Sequence, residues 1–314
     1  MRDVMGGALR GSTLTHTSEE PVDIRTLARR VSALLPVSGE ARDTSSPLPG
    51  VFLFRQSHPT DLIAGVYEPI VCLILQGSKQ TTFGDVTFEV GPGQSLLVSH
   101  DMPVLARVAS ATPGEPYLSI VIRLDLPLLR SLYDEVGAAA FAHTSADVAA
   151  RHDADPKLID CLGRYLELAD DPLESRVMAP MVLREIHFRL LMAPHGGMLR
   201  QLLRHDSHAS HVAKAIARIK RDFRTSIAVP ELAREVGMSA SSFHKHFRDI
   251  TSSTPLQYLK DLRLIEARRM LAAGGHSVTS VAYDVGYGSP NQFSREYARK
   301  HGVPPSAHLA SAVV

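Results

Sequence analysis

Residues 229–255 read VPELAREVGMSASSFHKHFRDITSSTP, and residues 278–305 read VTSVAYDVGYGSPNQFSREYARKHGVPP. The two stretches are one motif written twice. At an offset of 49, Leu232 faces Val281, Ala233 faces Ala282, Val236 faces Val285 and Gly237 faces Gly286. One extra residue in the second copy raises the offset to 50. Phe243 then faces Phe293, Lys245 faces Arg295, Phe247 faces Tyr297 and Pro255 faces Pro305. Each copy predicts a helix, a tight turn and a second helix. The small Ala233 or Ala282 lets the two helices approach, and Gly237 or Gly286 supplies the positive φ needed to leave the first. Ser239 and Ser289 are placed to cap the second helices. The aromatic pairs Phe243/Phe247 and Phe293/Tyr297 are four residues apart and face inward. What remains outside is short, polar or basic: Ser241, His244, Lys245 and Arg248, then Asn291, Ser294, Arg295 and Arg299. A helix-turn-helix whose second helix enters a major groove is built this way. One such segment is equally a structural helical hairpin; two in register favour DNA.

Between the copies, Leu256–Ala272 has helical spacing in Leu259, Leu262, Ile265, Ala267 and Leu271, and Gly274-Gly275 closes it. Seventeen residues span about 25 Å. Such a strut holds two recognition helices in successive major grooves, so one chain reads a bipartite site on one face of the duplex. On the preceding helix, Arg218, Lys220 and Arg221 are placed to touch backbone phosphate, which positions without specifying sequence.

Charge follows the same division. Residues 199–314 hold 17 Lys+Arg and 9 Asp+Glu, whereas residues 1–198 hold 17 and 24. A basic third behind an acidic body suggests that one part meets a polyanion and the other does not. The whole chain has 314 residues, 44% hydrophobic and 21% charged, with a net charge of +1. That balance excludes fibrous and wholly disordered classes and makes two domains the default. No apolar run is long enough for a membrane helix, and no secretory signal is visible. Two cysteines, Cys72 and Cys161, far apart and without a CxxC, argue against a disulfide framework and fit a reducing cytoplasm.

Towards the N-terminus, residues 1–20 read as a mobile tail. Ile24, Leu27, Ala28, Val31, Leu34 and Leu35 then form an amphipathic helix, with Arg25, Arg29 and Arg30 off the stripe, and Pro36 stops it. Ser38–Gly50 reads as a loop. From Val51 to Leu124, short apolar runs such as VFLFR, IVCLILQG and SLLVS alternate with turn residues. This predicts a small antiparallel barrel or sandwich, able to hold one small ligand. After Leu124 the pattern is helical to the end: Pro127–Val136, Pro156–Ala169 and Arg176–Met192. The last has apolar residues on more than one face, for core or for a subunit interface. HDSHASH, residues 205–211, reads as a polar hinge.

The repeat, the linker LRLIEARRMLAAGG and the stretch VAYDVGYGSPNQFSREYARKHGVPP resemble the DNA-binding domain of AraC/XylS-type transcriptional regulators across about 100 residues. VYEPIVCLILQGSKQTTFGD, VGPGQSLLVSHDMPV, PYLSIVIRLD and APMVLREIHFRLL resemble a cupin-like regulatory domain of one subgroup. The resulting fold class is α+β: an N-terminal cupin-like β-barrel with a helical extension, then an all-α domain with two helix-turn-helix motifs joined by a linker helix. The expected divisions are 1–20 tail, 21–204 regulatory domain, 205–211 linker and 212–314 DNA-binding domain. The resemblance implies effector binding or dimerisation by the barrel. It also implies base reading by Ser241, His244 and Lys245, and by Pro290, Asn291, Ser294 and Arg295. Pro290 has no hydrogen-bonding side chain, so its expected role is apolar contact or helix-start geometry. Asn291 can pair with adenine and Arg295 with guanine.

The expected partners are double-stranded DNA at a promoter or operator, an unknown small-molecule effector, RNA polymerase and a second copy of the chain. No cofactor, metal or catalysis is expected. Candidate effector contacts are His58, Tyr67, Gln76, Lys79, Ser99 and His100, although Tyr67 and Gln76 equally serve turns. A metal-dependent cupin enzyme fused to a DNA-binding domain would need converging imidazoles, yet residues 51–124 hold only His58 and His100 and no HxH. His205, His208 and His211, three apart, can share a helix face, but a polar hinge accounts for them. An alkyl-accepting repair protein would need a reactive cysteine. Cys72 in IVCLIL and Cys161 on an amphipathic helix read instead as core. A non-specific architectural DNA binder is the remaining alternative.

Overall fold

The computed structural model describes residues 23–36, 42–137, 141 and 149–310. The stretch read as a tail lies outside them. Helix α1 (Ile24–Leu34) starts where the Asp23 carboxylate accepts from Thr26 N at 2.7 Å, and it buries Leu27, Ala28 and Val31.

Ten strands follow among the described residues: β1 (Arg42–Leu48), β2 (Val51–Gln56), β3 (Ile63–Tyr67), β4 (Ile70–Gln76), β5 (Ser78–Phe83), β6 (Val86–Val90), β7 (Gln94–Val98), β8 (Met102–Ser110), β9 (Tyr117–Arg123) and β10 (Ala149–Asp153). They pair antiparallel in two sheets, β1-β2-β9-β4-β7-β10 and β3-β8-β5-β6. β4, IVCLILQ, explains why the larger sheet sits centrally. Val71, Leu73 and Leu75 belong to a core shared with helices, while Cys72 and Ile74 pack in the opposite cluster towards the smaller sheet. Buried on both faces, the strand reads as a continuous apolar run.

Two strands lie where none was expected. β1 occupies most of the stretch read as a loop. Its sequence RDTSSPL lacks apolar alternation, and pairing with β2 orders it, with the Arg55–Asp43 ion pair at 2.6 Å. β10, AARHD, interrupts a region read as helical and adds an edge to β7 through Ala149↔Val98 to Asp153↔Gln94.

The regulatory helices α2 (Leu126–Val136), α3 (Pro156–Glu167), α4 (Pro172–Met192) and α5 (Gly197–Leu203) cover the outer face of the larger sheet. α4 starts four residues before the predicted point, because Asp171 caps it through Leu173 N and Glu174 N. α4 buries Ala179, Val182, Ile186, Leu190 and Leu191, yet leaves Leu173, Val177 and Met181 at 64%, 58% and 61% exposure. The presumed hinge is partly helix. Ser207 caps α6 (His208–Asp222), so His208 and His211 lie in its first turn. His208 stacks on His246 with centroids 3.7 Å apart.

The remaining helices are α7 (Val229–Glu235), α8 (Ala240–Thr251), α9 (Pro255–Ala273), α10 (Val278–Asp284), α11 (Pro290–His301) and α12 (Pro305–Ala310). The first motif shares a buried cluster with the barrel: Phe83, Val90 and Met102 with Ile216, Phe243 and Phe247. The second has its own, built from Leu264, Ala267, Val281, Phe293 and Tyr297. Three polar links hold α6 and α9, which flank the first motif, to the barrel. Tyr258 Oη donates to Asp101 O at 2.7 Å; Lys220 Nζ meets Asp101 at 2.7 Å and Glu68 at 3.2 Å; His100 Nε2 lies 3.3 Å from Ala209 O. At the β5–β6 turn, Gly84 (φ +53°) lies so close to α8 that a Cβ would stand 2.1 Å from Ser252 O.

Candidate nucleic-acid interface and effector cavity

The two motifs correspond element by element. α7 and α10 have seven residues each, α8 and α11 twelve each, and the extra residue of the second copy falls in the turn between them. Gly237 and Gly286 leave the first helices at φ +74° and +90°. Ser239 and Ser289 accept from Ser242 N and Gln292 N at 3.3 and 3.4 Å. The inward rings match too: Phe243/Phe247 and Phe293/Tyr297 both have centroids 5.4 Å apart, tilted by 57° and 56°. Burying these pairs fixes the rotation of each second helix and hence its outward face.

That face carries the predicted residues. Ser241, His244, Lys245 and Arg248 are exposed on α8, as are Asn291, Arg295 and Arg299 on α11. Ser294 is half-buried, and so is Pro290, which stands at the first helical position behind the Ser289 cap. Among the described residues no carboxylate pairs with Lys245, Arg248, Arg295 or Arg299. By contrast Arg218 is ion-paired to Asp222 and Glu235, Arg221 to Asp222, and Lys220 turns towards the barrel. In this arrangement Arg218, Lys220 and Arg221 are engaged internally. Arg248 and Arg299 line one groove of about 530 Å³ between the motifs, together with Asp85 of the β5–β6 turn. α9, at nineteen residues, braces the motifs over about 28 Å. Lys300–Asp261 (2.9 Å) and Lys260–Glu296 (2.9 Å) pin α11 to it.

A second cavity, about 810 Å³, opens between the sheets. Of the six sequence candidates, Tyr67 and Lys79 line it. His58 is exposed elsewhere, and Gln76 Nε2 donates to Pro116 O at 2.8 Å, holding a turn. Ser99 and His100 are buried against α6, with Ser99 Oγ 2.8 Å from His100 Nδ1. Burial pushes the His100 imidazole down to about 4, so it stays neutral there. Sequence reasoning passed over Arg42, Phe52, Phe54, Tyr117, Ser119 and Arg123, which also line the cavity. Period-two alternation on β2 and β9 points Phe52, Phe54, Tyr117, Ser119 and Arg123 to one side, whereas Arg42 lies on β1, which has no such alternation. Lys220, Phe223, Leu262 and Glu266 close the cavity from the helical half.

Cysteine chemistry finds little support. Cys161 is buried against Arg164 Nη2 at 3.2 Å, and burial pushes its thiol up to about 11. Cys72 Sγ lies 4.0 Å from Tyr117 Oη at the cavity wall. Among the described residues no group of three or more His, Cys, Asp or Glu side chains is placed to hold a metal ion. Nor is any described helix long and apolar enough to cross a membrane.

Comparison with known proteins places these features. A family described as the AraC-type transcriptional regulator N-terminus matches residues 47–198, and a helix-turn-helix domain family matches residues 232–311. The chain is 23% identical over 243 residues to the HTH-type transcriptional regulator ExsA of Pseudomonas aeruginosa, covering 76% of this chain and 85% of that one. It is 30% identical over 143 residues to the HTH-type transcriptional activator RhaS of Salmonella schwarzengrund, covering 45% and 49%. In fold it is similar to unsaturated fatty acid bound ToxT of Vibrio cholerae, with a TM-score of 0.52 at 12% identity over 83% of this chain and 93% of that one.

Proposed function

This chain belongs to the AraC-type transcriptional regulators, and from that premise we propose that it reads a bipartite operator with α8 and α11 while the barrel cavity senses an effector. The observation that carries the reading is the pair of matched second helices, braced by α9, each with polar and basic side chains outward and its basic ones free of carboxylate partners among the described residues. Ser241, His244 and Lys245 read the first half-site; Asn291, Ser294 and Arg295 read the second, with Pro290 setting the start of α11. Arg248 and Arg299, on the shared groove, hold the phosphates between them.

The effector acts through the cavity wall. Four lining residues lie on α6, in the turn after it and on α9, so occupancy changes what the first motif leans on. Regulation then requires different effector affinity for the DNA-competent and incompetent arrangements. A second copy of the chain covers the Leu173/Val177/Met181 stripe of α4, in a two-fold interface where the stripe meets itself. RNA polymerase is the further partner of such a regulator, and we assign the chain no catalytic step and a cytoplasmic location.

Footprinting upstream of the chain's own operon is the direct test, with protection expected on two adjacent major grooves of one face. Arg295→Ala is expected to cost about 1–3 kcal/mol and to relax preference at one base position. Equal affinity for random and operator DNA, or unchanged preference in that variant, would count against the assignment.

A further inference from the structure

The lining of the 810 Å³ cavity is rich in cations. Three of the six are spoken for. Arg55 is paired with Asp43 and also meets Pro36 O; Arg107 donates to Gln80 Oε1 at 2.8 Å; Lys220 has Asp101 and Glu68. Three are not. Arg42, Lys79 and Arg123 have no carboxylate partner among the described residues. Each lies instead over an aromatic ring: Arg42 over Phe54 at 5.6 Å, Lys79 over Tyr67 at 5.0 Å and Arg123 over Phe52 at 5.0 Å.

Their placement is convergent. Phe52 and Phe54 are alternate residues on one face of β2, so both arginines lie over the same side of the larger sheet. Lys79 rises from the opposite sheet, on β5. The acids in the lining, Glu68 and Glu266, are engaged by Lys220 and by Arg269 at 2.7 Å. Lys79 is half-buried, Arg42 and Arg123 are exposed, and the three like charges repel one another, a penalty that an anion between them removes. One further group points the same way. Thr81 Oγ1 is buried without a protein partner. Thr81 sits on the same face of β5 as Lys79 and opposite Ala106, which lines the cavity.

We propose that the cavity binds an organic anion with an apolar, preferably aromatic, body, its acid group among Arg42, Lys79 and Arg123 and its body on Phe52, Phe54 and Tyr67. This rests on the reading of the barrel as an effector chamber and adds the ligand's chemical class. The cation-over-ring geometry serves both parts, since each ring both seats the body and faces the charge.

The test uses the full chain and two fluorescent probes with one skeleton, 8-anilinonaphthalene-1-sulfonate and N-phenyl-1-naphthylamine, which differ by the sulfonate. The anionic probe is expected to bind one site per chain about tenfold more tightly than the neutral one, and to lose that advantage at high salt. Lys79→Met, Arg42→Gln and Arg123→Gln are each expected to weaken the anionic probe by about fivefold and leave the neutral probe within about twofold. Equal binding of the two probes by the unaltered chain, or anionic binding indifferent to salt and to all three variants, overturns the proposal. The salt and probe comparisons need no variant, so a misfolded variant does not protect it. Duplex binding is measured in parallel. Lost charge discrimination with operator binding intact sinks the ligand class alone, whereas lack of operator preference in the unaltered chain sinks the regulator reading.

Discussion

Gly237 and Gly286 occupy equivalent turns but different surroundings. Both have positive φ, which costs any L-residue roughly 1–2 kcal/mol. A Cβ at Gly237 meets open space, whereas at Gly286 it would stand 2.5 Å from Arg224 O. Gly237→Ala is therefore expected to lower stability by about 1 kcal/mol, and Gly286→Ala by roughly 3 kcal/mol or more. Urea unfolding of the two variants checks the order, and equal losses would contradict the packing argument. The turns were legible because everything they need is local: a glycine, a cap three residues before the hydrogen-bonded amide, and rings four apart. The cavity was not. Arg42 sits in a strand without apolar alternation, and the inward face of Arg123 is fixed only by which strands pair.

Among the elements, α4 departs most from a simple sequence reading. Its apolar residues were compatible with pure core or with an interface, and burial separates them. Val182, Ile186 and Leu190 are inside, while Leu173, Val177 and Met181 recur every fourth residue in solvent. An apolar stripe at that spacing is the kind of surface a partner helix covers. Met181→Glu should leave the fold intact, since the residue is exposed, and should convert a dimer to monomer in sedimentation equilibrium. A variant that sediments as the parent does would remove α4 from the interface. α9 supports a separate expectation. One alanine inserted after Glu266 turns the second motif by about 100° and advances it about 1.5 Å, so the two grooves can no longer be engaged together. The footprint should then shrink to one half-site; an unchanged footprint would mean that α9 is not the spacer.

For the whole molecule, the unequal attachment of the two motifs matters most. The first is fused to the barrel through a common core; the second stands on its own cluster and reaches the rest through α9 and the turn after α6, where Phe223 packs on that cluster and Gly286 abuts Arg224 O. His100 reports on the fused part. Its folded value of about 4 lies below the ordinary 6.5, because burial disfavours the imidazolium. A depressed value contributes stability above pH 6.5 that is lost as pH falls towards 4. At about pH 5 the loss is about 2 kcal/mol. His187 and His301, also lowered by burial, act in the same direction. Urea midpoints at pH 7.5 and 5 should therefore differ, and His100→Gln should narrow the gap. An unaltered gap in that variant would assign the acid sensitivity to the other histidines lowered by burial, His187, His246, His301 and His308. That the barrel and first motif form one body was not readable from the chain. The segregated charge suggested independent halves, and the shared cluster depends on residues more than a hundred positions apart.

The turn at Gly84 carries a consequence for anyone recombining such proteins. With room for nothing beyond a hydrogen against Ser252, the barrel and the first motif meet backbone to backbone there, beside their common core. A chimera grafting a foreign reader onto this sensor, or the reverse, inherits a mismatched seam unless both partners of that touch travel together. Swaps joined only at residues 205–211 should produce hybrids that fold piecewise, seen as two urea transitions in place of one.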